Sequence, residues 1–172
     1  LGNATQSADI EFQGKLTNVV STGYLRASHA TLRFHGGLRN ESSLTVSTGT
    51  VSGDVENQVG AMIVVVNNGD AKFEGDLHNE GRVLVTPNST ATYFGKVSGS
   101  GSFPGGGTHV FTAELAPGPG PDQIGFDGDV VFGDQATLEA ELKSTTPGSG
   151  HDQVTIAGSA TLDGTLALKP FP

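Results

Sequence analysis

The chain has 172 residues, with 18 Asp and Glu against nine Lys and Arg and a formal charge of −9, so it repels a polyanion over most of its surface and disfavours nucleic acid as a partner. Twenty-six glycines stand beside nine phenylalanines, two tyrosines and no tryptophan, a supply that suits short strands and many corners better than a helical bundle. The absence of cysteine removes disulfides and thiolate metal sites, and no stretch is apolar for long enough to span a bilayer.

Taken in chain order, the first predicted element lies in "FQGKLTN", Phe12 to Asn18. The same form returns as "FHGGLRN" from Phe34, "VSGDVEN" from Val51 and "FEGDLHN" from Phe73. A fifth copy, "FGKVSG" from Phe94, reads as one residue short and without its asparagine. The aliphatic positions Leu16, Leu38, Val55, Leu77 and Val97 are spaced by 22, 17, 22 and 20 residues, a near-constant period that marks repeated structure.

Within a copy the alternation has period two, with Ala71, Phe73 and Leu77 on one face and Lys72, Glu74 and Asp76 on the other. That is a half-buried strand. A second short strand follows each asparagine, with Leu44 and Val46, then Met62 and Val64, then Val83 and Val85 as inward pairs. On this reading Ile63, Val65 and Leu84 point outward. The run "AMIVVV" is then apolar on both faces, which predicts a contact with another protein chain through Ile63, Val65 and Leu84. Runs such as "VSTGT", "VNNGD" and "VTPNS" supply corner residues between copies.

Hairpins need two-residue turns and mirror-image pairing, whereas these copies run head to tail at about 20 residues each. Such a repeat is satisfied when each copy forms one coil and its strands pair with the same strands of the next, about 4.8 Å away. The predicted fold is an all-β parallel solenoid, a β-helix. Equivalent residues stack, so Phe12, Phe34, Val51, Phe73 and Phe94 are expected in one internal column. Asn18, Asn40, Asn57 and Asn79 are expected in another, at a corner, hydrogen-bonded side chain to side chain. From about residue 100 the corners become Gly- and Pro-rich. The strands around "ATLEAEL" and "ATLDGTLAL" read as irregular coils of the same stack. The expectation is one solenoid over 1–172, with regular coils over about 8–100 and degenerate coils and a cap over 101–172. A separate β-sandwich for 110–172 is the alternative.

The final segment, "GDVVFGDQATLEAELKSTTPGSGHDQVTIAGSATLDGTLAL", resembles the repeats of bacterial autotransporter passengers and PEP-CTERM-type exported surface proteins. In those, "ATLEIEL…PGxxYDQL…GxATLxGTL" closes a β-helical unit, and "FxGxLxNxGxL" coils precede it. The resemblance holds in motif detail over residues 128–168, with His151 standing where an aromatic commonly precedes the "DQ". It implies a right-handed parallel β-helix in a protein that is exported to the cell surface or beyond it, and the chain reads as a segment of something longer. About chemistry it implies almost nothing, because such repeats accompany proteins of many roles.

Stacking the coils also stacks the outward residues. Asp54, Glu56, Glu74 and Asp76 then crowd one patch over two coils, where like charges about 5 Å apart repel unless a cation relieves them. A calcium site is one reading, since hard oxygen ligands suit that ion. The favoured reading is a solvated acidic face flanked by Arg39, His78 and Lys96, with no cofactor. Arg39 beside Asp54 and Asp76 is the one set that suggests a polysaccharide-lyase-like site. The histidines His29, His35, His78, His109 and His151 lack zinc-ligand spacing, and most of them read as solvent-facing or corner residues. The expected function is a structural or adhesive module without catalysis, facing a surface glycan or another chain and able to self-associate. A carbohydrate-active enzyme, or its sugar-binding accessory domain, is the alternative.

Overall fold

The computed structural model describes residues 8–19 and 23–170. It is an all-β parallel solenoid with no helix among these residues, so no helix long and apolar enough to cross a membrane occurs among them. Each coil lays strands on up to three faces in turn. The first coil contributes β1 (Ala8–Phe12), β2 (Leu16–Asn18) and β3 (Tyr24–Ala27), and the second β4 (Ala30–Phe34), β5 (Leu38–Asn40) and β6 (Ser43–Val46). The third holds β7 (Gly49–Ser52), β8 (Val55–Asn57) and β9 (Met62–Val65), and the fourth β10 (Asp70–Phe73), β11 (Leu77–Asn79) and β12 (Arg82–Val85). Next come β13 (Thr90–Tyr93) and β14 (Val97–Gly99), then β15 (Thr108–Phe111), β16 (Glu114–Pro117) and β17 (Gln123–Phe126). The chain continues through β18 (Asp129–Phe132), β19 (Thr137–Leu142) and β20 (Gln153–Ile156) to β21 (Ala160–Thr161) and β22 (Thr165–Pro170).

The first face is an eight-stranded sheet from β1 to β21 and the second an eight-stranded sheet from β2 to β22. Both run without a break past residue 110, so the C-terminal strands extend the same sheets. The third face is a four-stranded sheet, β3 to β12, and a two-stranded sheet of β17 and β20. Single bridges, Arg82 to Ser102 and Phe103 to Phe126, connect the two across the fifth coil. All the strand pairs are parallel and in register.

The core consists of columns. On the first face Leu32, Val51, Phe73, Tyr93, Phe111 and Phe132 stack in turn. Consecutive rings from Phe73 to Phe132 lie 5.5, 5.0 and 5.3 Å apart, close to the strand separation that fixes them. The column differs from the sequence expectation in two places. Val51 sits over Leu32 rather than Phe34, whose neighbour is Phe12 at 5.2 Å. Phe94 is 48% exposed, and Tyr93 takes the inward position. Aligned on Tyr93, the fifth copy reads "YFGKVSG" and has lost no residue; only its asparagine is replaced, by Gly99.

The third face corrects a second expectation. Ile63 and Val65 are fully buried, in register with Leu44 and Val46 below and Val83 and Val85 above. The outward residues are Met62 and Val64, with Leu84 beside Val64. A run that is apolar at every position carries no polar residue to mark which parity faces the core. The corner before Ile63 is also longer than those of the coils on either side, with six residues from Asn57 to Ile63 against four from Asn40 to Leu44 and four from Asn79 to Val83.

The repeat glycine follows from the stacking. A Cβ on Gly36 would lie 2.4 Å from the Lys15 amide nitrogen, one on Gly75 2.3 Å from the Gly53 carbonyl carbon, and one on Gly95 2.4 Å from the Gly75 oxygen. Successive corners therefore pass too closely for any side chain. On Gly14, in the first coil, a Cβ would meet nothing within 4 Å.

Candidate functional site

The outward surface of the second face carries most of the paired charge. Its central row runs Thr17, Arg39, Glu56, His78 and Ser98, one residue per coil. Glu56 lies 2.9 Å from Lys15, two coils away, and 3.8 Å from Arg39. The hydrogen bond from Lys15, helped by Arg39, holds the Glu56 carboxyl below the usual carboxylate range. Arg39 also reaches Glu41 at 2.6 Å, His78 lies 3.2 Å from Glu80, and Lys96 lies 2.6 Å from Glu114. Opposite charges thus interleave along the stack. Each pair is at least partly solvent-exposed and contributes little stability alone.

The four carboxylates of the expected calcium patch are arranged differently from one another. Asp54 accepts the Asp76 amide at 3.0 Å and Asp76 accepts the Lys96 amide at 2.8 Å, so both act as acceptors that tie one coil to the next. Glu56 is paired with Lys15 and Arg39, and Glu74 is exposed on the corner after β10. Among the described residues no group of three or more His, Asp or Glu could hold a metal ion. The catalytic set also separates, because Arg39 pairs with Glu41 and Glu56 rather than with Asp54 or Asp76.

The asparagines form a buried ladder. Asn18 donates to Asn40 at 2.8 Å, Asn40 to Asn57 at 2.8 Å and Asn57 to Asn79 at 2.7 Å. Each amide also donates to a main-chain carbonyl of the next coil, Ser43, Met62, Arg82 and Ser102 in turn. The ladder closes the corner between second and third faces and stops at Asn79, since Gly99 has no side chain to continue it.

A cleft opens where two coils differ in length. First-face residues of the second and third coils pair at a spacing of 19, as Leu32 with Val51, while second-face residues pair at 17, as Leu38 with Val55. The longer corner of the second coil, through Gly36 and Gly37, therefore has only Gly53 and Asp54 above it. The resulting depression of about 330 Å³ is lined by Lys15, His35, Asp54 and Glu56 over a floor of Phe34 and Leu38. On the third face Met62, Val64 and Leu84 form a half-buried apolar strip.

Two features escape a reading of the sequence. His109 lies wholly inside the solenoid, its Nδ1 2.9 Å from the Tyr93 hydroxyl, and its Nε2 has no hydrogen-bond partner. Phe103 and Phe126 meet its ring edge-on. Burial drops the imidazole to about 3 and pushes the Tyr93 phenol up, so both are neutral near pH 7. The second feature is another repeat. Asp122 and Gln123 stack on Asp152 and Gln153, 30 residues away. Asp152 accepts the amides of Asp122 and Glu141, both at 2.7 Å. The paired "DQ" dipeptides were the available signal. No protein-family model, no curated protein and no solved structure matches the chain.

Proposed function

We propose that the protein is a structural or adhesive module of an exported bacterial surface protein, presenting its rigid second face to a surface glycan or to another protein chain. The observation that carries this reading is the uniformity of the outward face: one residue per coil, charges interleaved, corners tied by Asp54, Asp76 and the asparagine ladder. The longest segment between strands among the described residues, 143–152, folds back on itself, with the Ser144 amide donating to the Gly150 carbonyl and the Gly150 amide to Thr146. It builds no wall over a face. The resemblance of residues 128–168 to passenger repeats supports export.

A sugar-binding accessory role is the second reading, and the cleft of about 330 Å³ with Lys15, His35, Asp54 and Glu56 at its rim favours it. Polar rims of this kind suit hydroxyl-rich ligands. A glycan array with the purified protein, repeated with Lys15→Gln and Glu56→Gln, tests both. Binding of one sugar class that falls at least about tenfold, or 1.4 kcal/mol, in both variants places the contact at the cleft. Binding that is indifferent to both variants removes the cleft reading. Silence of the wild type across the array removes the glycan from the proposal and leaves the protein-contact role.

A further inference from the structure

The charges of the solenoid are sorted by face. The strands of the first face and those of the second each hold four of the chain's 18 carboxylates, whereas β3, β6, β9, β12, β17 and β20, which make up the third, hold none. The glutamates at the entrance to that face, Glu41 and Glu80, turn back to Arg39 and His78 on the second. What charge the third-face strands carry is positive, from Arg26 and Arg82. Elsewhere on the tube Lys15, Arg33, Arg39, Lys96 and Lys169 pair with glutamates, but Arg26 and Arg82 are exposed and form no ion pair among the described residues.

Between the two arginines the face is apolar. Met62 and Val64 on β9 and Leu84 on β12 point outward, with Val64 beside Leu84 and Met62 beside Arg82. Parallel strands that are apolar on both sides are as a rule covered on both. The centres of protein interfaces are enriched in methionine, arginine and tyrosine and depleted in aspartate, glutamate and lysine. The third-face strands have that composition, with Tyr24 at the margin 72% exposed. A row of aliphatic side chains suits the side chains of a protein better than hydroxyl-rich sugars, and the formal −9 of the chain turns away an anionic membrane surface.

We propose that the third face is a docking surface for an acidic polypeptide segment supplied by another protein. Aliphatic side chains of that segment cover Met62, Val64 and Leu84, and its carboxylates pair with Arg26 and Arg82, whose guanidinium groups can each donate two parallel hydrogen bonds to one carboxylate. Arg82 lies three coils from β3 and two residues along the strand from the position of Arg26. The two Cα atoms are then about 16 Å apart, from a coil spacing of about 4.8 Å and a rise of about 3.3 Å per residue. An extended segment with carboxylates at positions i and i+4 spans about 13 Å on one face, and the arginine side chains reach across the remainder. Position i+2 then falls over the aliphatic strip. The proposal concerns the third face and stands whatever the second face binds.

Selection from a displayed library of random peptides against the immobilised 172-residue protein tests it. The enriched peptides are expected to be acidic, with two carboxylates four residues apart about an aliphatic residue, and their binding is expected to weaken in salt. Arg82→Gln and Val64→Glu each lower the affinity of an enriched peptide at least about tenfold, with an unchanged circular dichroism spectrum, since both side chains point outward. Lys15→Gln, the same change of charge at a position away from the third face, leaves that affinity unaltered. No enrichment, enrichment of sequences without the acidic pattern, or binding that Lys15→Gln lowers as much as Arg82→Gln overturns the proposal, as does an affinity indifferent to Arg82→Gln and Val64→Glu.

Discussion

Tyr93 and His109 account for each other. A tyrosine in an otherwise apolar and aromatic column strands a hydroxyl in the core, and an unpaired buried polar group costs about 1–3 kcal/mol. His109, on the neighbouring strand and stacked parallel to the Tyr93 ring at 6.0 Å, takes that hydroxyl. The imidazole then titrates near 3 in the folded chain against 6.5 when exposed. The unfolded chain binds the extra proton first, so the stabilisation is complete above pH 6.5 and is lost as pH falls from there toward 3, by up to several kcal/mol in order of magnitude. Urea midpoints measured from pH 7 to pH 4 should fall steeply in the wild type and clearly less in His109→Phe. An equal slope in the two would show that His109 is not the group responsible. Glycine offers a second test at this scale. Gly75→Ala forces a Cβ against the Gly53 main chain and should cost at least about 2 kcal/mol by overpacking, whereas Gly14→Ala, with open space at the same repeat position, should stay within about 0.5 kcal/mol. Thermal unfolding of the two variants side by side measures the difference.

Among the elements, the asparagine ladder fixes the relation of the second face to the third. Asn57→Ala removes a central rung and leaves the Asn79 carbonyl oxygen and one Asn40 donor direction without their partners. A loss of about 2–4 kcal/mol is expected from the broken bonds and the stranded groups together. Asn18→Ala, at the end of the ladder, should cost about 1 kcal/mol. Equal costs in denaturant unfolding would mean that the rungs do not act through one another. The ladder was legible in the sequence because asparagine recurs at one place in four copies, and the same recurrence disclosed the coils. Other features were hidden for identifiable reasons. Phe94 matched the repeat by residue type, but the alternation through Ala91 and Tyr93 matches Ala71 and Phe73, and parity governs which face a strand residue occupies. Ile63 and Val65 could not be placed because their neighbours are equally apolar. The cleft was invisible because it arises from a difference in corner length between adjacent coils, which no single copy displays. The 30-residue "DQ" repeat was obscured by the regular 20-residue one before it.

At the scale of the whole molecule, contacts run almost entirely between neighbouring coils, so stability is nearly a sum of coil and interface terms. Protection against hydrogen exchange in this 172-residue chain should therefore peak in β7 to β16 and decline toward β1 to β3 and β20 to β22. Uniform protection throughout would instead indicate a single cooperative unit. The parallel in-register pairing also has a mechanical consequence. The bonds between coils point along the tube, so tension applied to the two ends loads one layer at a time rather than shearing many together. Each coil that peels away releases about 20 residues, roughly 70 Å of extended chain, in place of a rise of about 4.8 Å. Drawn out in this way, the solenoid lengthens by steps, from its terminal coils inward.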